Sequence, residues 1–287
     1  MKNYNCKKDL KVIREIFSLT QEQFAQKVGV SRSNILRYES GAIFPHKSSL
    51  ERIYSFCLEN DFNLNKAKVM LFMDNAKDNK LLFHGAKEEI KDNISIDHLI
   101  GKKDFGAGFY LGESFESAAS WIAEWPNGSI YSFYLDTTDL KILRLDVGME
   151  WMLAILYFRG MFEKYEINTT LLEIINKIEQ ADVVVAPIAD NQMYETLNSF
   201  AFNQISDEQC LHALSANNLG YQYVIKSEKA LKGLKQIERH YLCQIEKNRY
   251  LSIKRETSLD GRNKALLSIN KYRRKGRYFD EIFKKLG

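Results

Sequence analysis

The 287-residue chain has only three prolines, four cysteines and no apolar run of membrane-spanning length. Each shortage excludes something. Cys6, Cys57, Cys210 and Cys243 are too scattered for a disulfide framework or a clustered metal site, so the thiols are expected to be reduced and no metal is expected. No window approaches eighteen uncharged apolar residues, which argues against a spanning helix and a membrane partner. Residues 1–6 lack the apolar stretch of a signal peptide, and a cytoplasmic chain is expected. With fifteen glycines, the chain is neither collagenous nor of low complexity. No strand pattern runs into a Gly-x-Gly-x-x-Gly turn or a Walker loop, so the common phosphate cradles are missing. What is there is a folding composition. Apolar residues make up 45% of the chain, with seventeen Phe, fifteen Tyr and three Trp, enough for one or two domains with real cores.

The net charge of +4 hides an uneven distribution. Residues 1–66 carry 11 basic and 7 acidic side chains, residues 67–225 carry 12 and 23, and residues 226–287 carry 18 and 7. An acidic middle between two basic ends suggests separate jobs. Basic ends suit nucleic acid, because neutralising phosphates releases counterions.

Residues 8–62 read as helices. Leu10, Ile13, Ile16 and Phe17 recur at helical spacing, as do Leu50, Ile53, Tyr54 and Cys57. Thr20 with Gln23 forms a capping-box pattern, Gly29 stops a short helix, and Ser31 can cap the next, which runs to about Ser40-Gly41. From Leu81 the pattern changes to short β-type runs at 81–84, 109–111, 129–135, 142–145, 182–186 and 221–225. Helical stretches fall at 114–125, 150–180, 190–202 and 206–215. Strands with helices interspersed suggest an α+β domain. The chain is accordingly divided into a helical domain at 8–63, a linker helix at 64–79, an α+β domain at 80–240 and a basic helical extension at 241–287.

Residues 20–41 resemble the phage-repressor (Xre-type) helix-turn-helix. Small Ala25 lets two helices approach, Gly29 supplies the turn, and Phe24, Val28, Val30 and Ile35 make a shared core. The resemblance assigns base-edge contacts to Arg32, Ser33 and Arg37 and a phosphate contact to Gln21. It makes Arg14 and Glu39 a structural pair. One recognition helix covers only a half-site, so a homodimer on DNA is expected.

Further on, Phe83-His84-Gly85 ends a strand, and Asp104-Phe-Gly-Ala-Gly-Phe-Tyr110 follows. With the later segments 182–190, 205–208 and 221–230, this order resembles the His-Tyr-Glu class of ADP-ribosyltransferases. It is closer still to a bacterial family of unknown function assigned to that split-sheet fold. The resemblance implies NAD as substrate. His84 would bond a ribose hydroxyl, Gly85 would clamp the nicotinamide amide, Tyr110 would stack on nicotinamide, and Gly106 and Gly108 would let backbone approach the ligand. The catalytic residues implied are His84, Tyr110 and a third that is usually Glu. Here that position offers Gln222, which lacks the charge that favours an oxocarbenium-like state. Either the enzyme is then slow, or Asp190 or Glu228 supplies the charge, or the domain binds NAD without turning it over, or a shifted register brings in Glu208.

Other residues carry two readings each. Arg159 is placed either to reach a pyrophosphate or to pair with Glu163 one turn on. Asp190 either serves catalysis or caps the helix starting at Asn191. The basic tail is either a solvated face or a docking surface for nucleic acid or an acidic partner. The expected function is NAD-dependent transfer of ADP-ribose to a protein or nucleic-acid acceptor, as a toxin-like or phage-defence effector with its own DNA-binding domain. A cognate antitoxin is a further expected partner. The alternative is a transcriptional regulator whose inactive transferase-fold domain senses NAD or a related nucleotide.

Overall fold

A computed structural model gives the structure over residues 4–91, 94–96, 103–216 and 219–286. Five helices come first: α1 (Cys6–Ile16), α2 (Gln21–Val28), α3 (Arg32–Ser40), α4 (Lys47–Glu59) and α5 (Leu64–Asp74). Next are β1 (Lys80–Ala86), β2 (Phe109–Gly112), α6 (Phe115–Ile122), β3 (Ser129–Leu135), β4 (Ile142–Arg144), α7 (Met149–Phe158) and α8 (Thr169–Glu179). The chain continues through β5 (Val183–Pro187), α9 (Asn191–Ala201), α10 (Asp207–Ser215) and β6 (Tyr221–Ile225). It closes with α11 (Glu228–Lys232), β7 (Leu234–His240), α12 (Gln244–Lys271) and α13 (Phe279–Ile282). Two compact units interleave along this order. One takes Met1–Asp92, Phe115–Tyr134 and Lys235–Ile253, and the other takes Asn93–Ser114, Leu135–Leu234 and Lys254–Gly287.

In the first unit the helix boundaries follow from capping chemistry. Thr20 and Gln23 satisfy each other's backbone N–H groups at the start of α2, and Ser31 accepts from the Asn34 N–H at the start of α3. Gly29 at φ +63° and Gly41 at φ +80° end those helices in the left-handed region. Leu10, Ile13, Phe24, Ile35 and Ile53 are fully buried in the shared core, which Tyr241 and Cys243 also enter. β3 lies between β1 and β7 and is buried almost throughout. α6 packs Phe115, Ala119 and Ile122 with Phe83, Ile130 and Tyr250.

The second unit is built on a mixed sheet. β4 runs parallel to β5, β5 is antiparallel to β6, and β6 is antiparallel to β2. The apolar run Val183–Pro187 is buried at every position, as a strand covered on both faces should be. Over it lies α7, whose residues from Trp151 to Leu156 are all buried. The C-terminal segment joins this core: Phe279 and Phe283 of α13 and its flank pack against Phe162 and Phe200.

Two expectations need correcting. The helical stretch 150–180 is two helices, because Gly160 takes φ +84° just after α7, and Asn168 caps α8 by accepting from the Leu171 N–H. β7 was not anticipated, and its sequence Leu-Lys-Gln-Ile-Glu-Arg-His explains why: charge along a terminal strand masks the β pattern. The chain is thus multidomain, a helical region followed by an α/β region. Among the described residues no helix is long and apolar enough to cross a membrane.

Candidate functional site

The most exposed chemistry of the first unit is on α3. Ile35, Tyr38 and Glu39 face inward, while Arg32, Ser33, Leu36 and Arg37 are exposed. The one-and-four spacing of those four residues puts them on one surface. Arg32 lies 3.9 Å from Glu22, an exposed pair of little energetic weight. Ser33 Oγ is 3.1 Å from Ser31 Oγ. Leu36 shares this surface, four positions after Arg32, while Ile35 and Tyr38 fill the core. An exposed leucine there suits a thymine methyl group.

Behind this face α3 is locked. Arg14 donates through Nε to Glu39 Oε1 at 2.5 Å and through Nη2 to Oε2 at 3.1 Å, and a third bond reaches the Leu19 carbonyl. Burial alone would raise the Glu39 carboxyl, but bonds from Arg14 and Gln21 outweigh it and hold it below the usual range. The Gln21 amide donates to Glu39 Oε2 at 2.7 Å. One amide hydrogen of Gln21 is thus committed to Glu39, and the second can still donate to a phosphate.

In the second unit a buried carboxylate, Asp104, gathers Arg159 and Gln222. Arg159 donates to Asp104 Oδ1 at 2.7 Å and lies over the Tyr194 ring, 4.0 Å from its centroid. Gln222 donates from Nε2 to Asp104 Oδ2 at 3.1 Å and to the Pro187 carbonyl at 3.2 Å. The carboxylate that holds Arg159 is thus Asp104, 55 positions away, a partner the sequence did not suggest. Tyr110 stands opposite Val224, and Gln222 opposite Gly112 and Ala186. Two residues apart along β6, those positions place Tyr110 and Gln222 on one face of the sheet.

The loop bearing Asp104 is fastened from several sides. The Phe105 N–H donates to the Tyr110 hydroxyl at 3.1 Å, and that hydroxyl donates to the Gly106 carbonyl at 2.8 Å. Burial raises the Tyr110 phenol, so it stays protonated and able to donate. Lys226 Nζ donates to the Phe105 carbonyl at 2.8 Å, and Phe105 is fully buried. Within the fold, the loop glycines make room for close packing. A Cβ on Gly108 would lie 2.7 Å from Val224 Cγ1 and 2.9 Å from the Ile225 carbonyl oxygen. One on Gly106 would meet the Phe158 ring at 2.9 Å.

The remaining residues lie on other elements of the chain. His84 and Gly85 are on β1 of the first unit, half-buried. A Cβ on Gly85 would lie 2.7 Å from Ile122 and 3.3 Å from Trp121, so this glycine makes room for α6. Asp190 caps α9 by accepting from the Met193 N–H at 2.9 Å, and Ser206 caps α10. Glu228 is in the first turn of α11.

One further arrangement looks catalytic and is sealed. Ser132 Oγ is 2.6 Å from His240 Nε2, and His240 Nδ1 is 3.1 Å from Asn65 Oδ1. The connectivity is that of a nucleophile, a base and an orienter. All three side chains are buried, and burial depresses the imidazole well below its usual range. No substrate reaches them, so the network is structural. Among the described residues no group of His, Cys, Asp and Glu is arranged to hold a metal ion.

The capped bihelical unit with an exposed third-helix face is that of a helix-turn-helix domain, and residues 9–58 match the family described as "Helix-turn-helix domain". Such a domain points to a DNA-binding or regulatory role. Residues 81–236, more than half of the chain, match the family described as "Protein of unknown function (DUF3990)", and the chain belongs to that family. No curated protein and no solved structure matches the chain.

Proposed function

We propose that the chain is a DNA-binding regulator whose second unit takes NAD as a ligand without efficient transfer. The observation that carries the DNA part is the α3 surface: two arginines, a serine and a leucine exposed on a helix fixed from behind by the Arg14–Glu39 pair. Arginines on such a helix take guanine bidentately. The test is binding of the full chain to a library of duplexes. Enrichment of a two-half-site sequence supports the reading, and binding without sequence preference overturns it. Replacing Arg37 with Ala should cost about 1–3 kcal/mol on the preferred site and relax base preference.

For the second unit, support for a sensor over an enzyme comes from Gln222. Its amide hydrogens go to Asp104 and to the Pro187 carbonyl. It brings no negative charge, and Asp104 is already paired with Arg159. NAD-dependent transfer of ADP-ribose to a macromolecular target, as a toxin-like or phage-defence effector, is the second reading. Its support is the order of His84, Gly108 and Tyr110 and the shared face of Tyr110 and Gln222. Calorimetry with NAD and a nicotinamide-release assay separate the two. Binding without release over hours supports the sensor, and release with labelled acceptor supports the transferase. Failure to bind at millimolar NAD overturns both.

A further inference from the structure

We infer that the turn at residues 271–277 is a second, sequence-independent docking surface for the phosphate backbone of duplex DNA; this rests on the DNA-binding reading above. The segment Lys271-Tyr-Arg-Arg-Lys-Gly-Arg277 places five cations in seven residues, all exposed. Several other cations of the same unit lie beside carboxylates. Arg262 lies by Glu195, Lys264 by Asp260, Lys284 by Glu166 and Lys285 by Asp280. Among the described residues, Lys271, Arg273, Arg274, Lys275 and Arg277 make no such pair.

This is not a loose tail. The Asp207 N–H donates to the Arg277 carbonyl at 2.9 Å, the Arg277 N–H donates to Asp207 Oδ1 at 2.7 Å, and the Ser206 hydroxyl donates to the Lys275 carbonyl. Gly276 at φ +81° lies so close to α10 that a Cβ would fall 2.2 Å from Asp207 Oδ1. Seven residues later Phe283 is buried in the core. The backbone is therefore held by α10 and by the buried Phe283. Five charges without a carboxylate partner remain in solvent, two of them (Lys271 and Lys275) beside the Tyr272 ring. A polyanion supplies what the fold does not, and its binding costs little ordering of the chain.

The ring in this segment separates duplex from single strand. Tyr272 is stacked on His212, with ring centroids 3.5 Å apart and planes at 10°. One of its faces is already occupied, which leaves a poor platform for unstacked bases. What remains is charge, and charge reads phosphates rather than sequence.

The test compares the full chain with the double variant Arg273→Gln/Arg274→Gln, and separately with Lys271→Gln/Lys275→Gln, on its preferred duplex and on a scrambled one. Each double variant removes two phosphate contacts and lowers the salt slope by about 1.8. Its deficit relative to the native chain should therefore shrink about twelvefold between 50 and 200 mM salt, equally on both duplexes. Two variant pairs guard against one of them misfolding. Unchanged slopes in both pairs would overturn the inference, as would a larger loss on single-stranded RNA than on duplex. A native chain with no sequence preference overturns the α3 reading instead, and the salt slopes still decide whether this turn binds backbone.

Discussion

Glu246, in the first turn of α12, makes the first unit's stability depend on pH in a way that can be calculated. The side chain is buried at 3% exposure. Its Oε2 accepts from Asn65 Nδ2 at 2.8 Å, while Oε1 has no hydrogen-bond partner among the described residues. Burial pushes the carboxyl up to about 7, against the pull of hydrogen bonds from Asn65 and Asn63 and of the charges on Arg249 and Lys68. The ordinary glutamate value is about 4.5. A folded value above the unfolded one means that the native state keeps a proton the unfolded chain releases. Stability therefore falls as pH rises from about 4.5 to about 7 and is level above that. At 1.36 kcal/mol per unit, the full window is worth about 3.4 kcal/mol. Summing over both titrations, about 0.8 kcal/mol is already lost at pH 5 and about 3.3 kcal/mol at pH 8.

Glu246→Gln keeps the shape and cannot ionise. Its amide hydrogens have no better partner than Oε1 had, so the absolute effect of the substitution includes a constant penalty. The diagnostic quantity is the change in the native-to-variant difference, which should favour the variant by about 2.5 kcal/mol more at pH 8 than at pH 5. His240, buried and neutral, also links stability to acid, but it does so in both proteins and cancels. Urea unfolding at pH 5, 6, 7 and 8, with amide exchange read at α5 and the first turns of α12, measures the difference. A gap independent of pH would refute the reasoning.

The other predictions concern packing and charge. Arg14→Ala leaves Glu39 buried at 4% exposure with only Gln21 to hold it, and should destabilise the first unit by about 3 kcal/mol in urea unfolding. Gly108→Ala forces a methyl against Val224 and the Ile225 carbonyl and should cost about 1–3 kcal/mol; a loss under 0.5 kcal/mol would show that β2 can shift freely. Gln222→Glu sets a second carboxylate against Asp104, which the amide now contacts at 3.1 Å. Its folded-state value would be raised, so the destabilisation should be full near pH 8 and shrink as pH falls toward 5, seen as converging urea midpoints. An increase in nicotinamide release by this variant would instead favour the enzyme reading.

How much of this was legible depended on the range of the interaction. The helix-turn-helix was legible because its determinants are local: Thr20 with Gln23, Ser31 with Asn34, and glycines at 29 and 41 lie within a few residues of the backbone groups they satisfy. β3 and β6 were also legible, since their apolar residues are dense enough to outvote any helical period. β7 was not, because its charged residues answer to partners far off in sequence. Glu238 pairs with Lys68, 170 positions away, and Arg239 Nε donates to Ser129 Oγ.

The Asp104 cluster shows the same limit at a candidate site. Arg159 and Gln222 are separated by 55 and 118 positions from Asp104, the carboxylate they share. From sequence, an arginine in an apolar helix and a glutamine in an apolar strand both look like groups saved for a ligand. Either side chain is equally explained by a buried carboxylate, since unpaired burial of that charge would cost far more than the two bonds that satisfy it. The residue types do not distinguish these uses, because an amide N–H aimed at a ribose and one aimed at Asp104 obey the same chemistry. What distinguishes them is whether the donor is already spent. For Gln222 both acceptors are within the protein, so any ligand that uses this nitrogen must first displace Asp104 or the Pro187 carbonyl, and its affinity is reduced by that exchange.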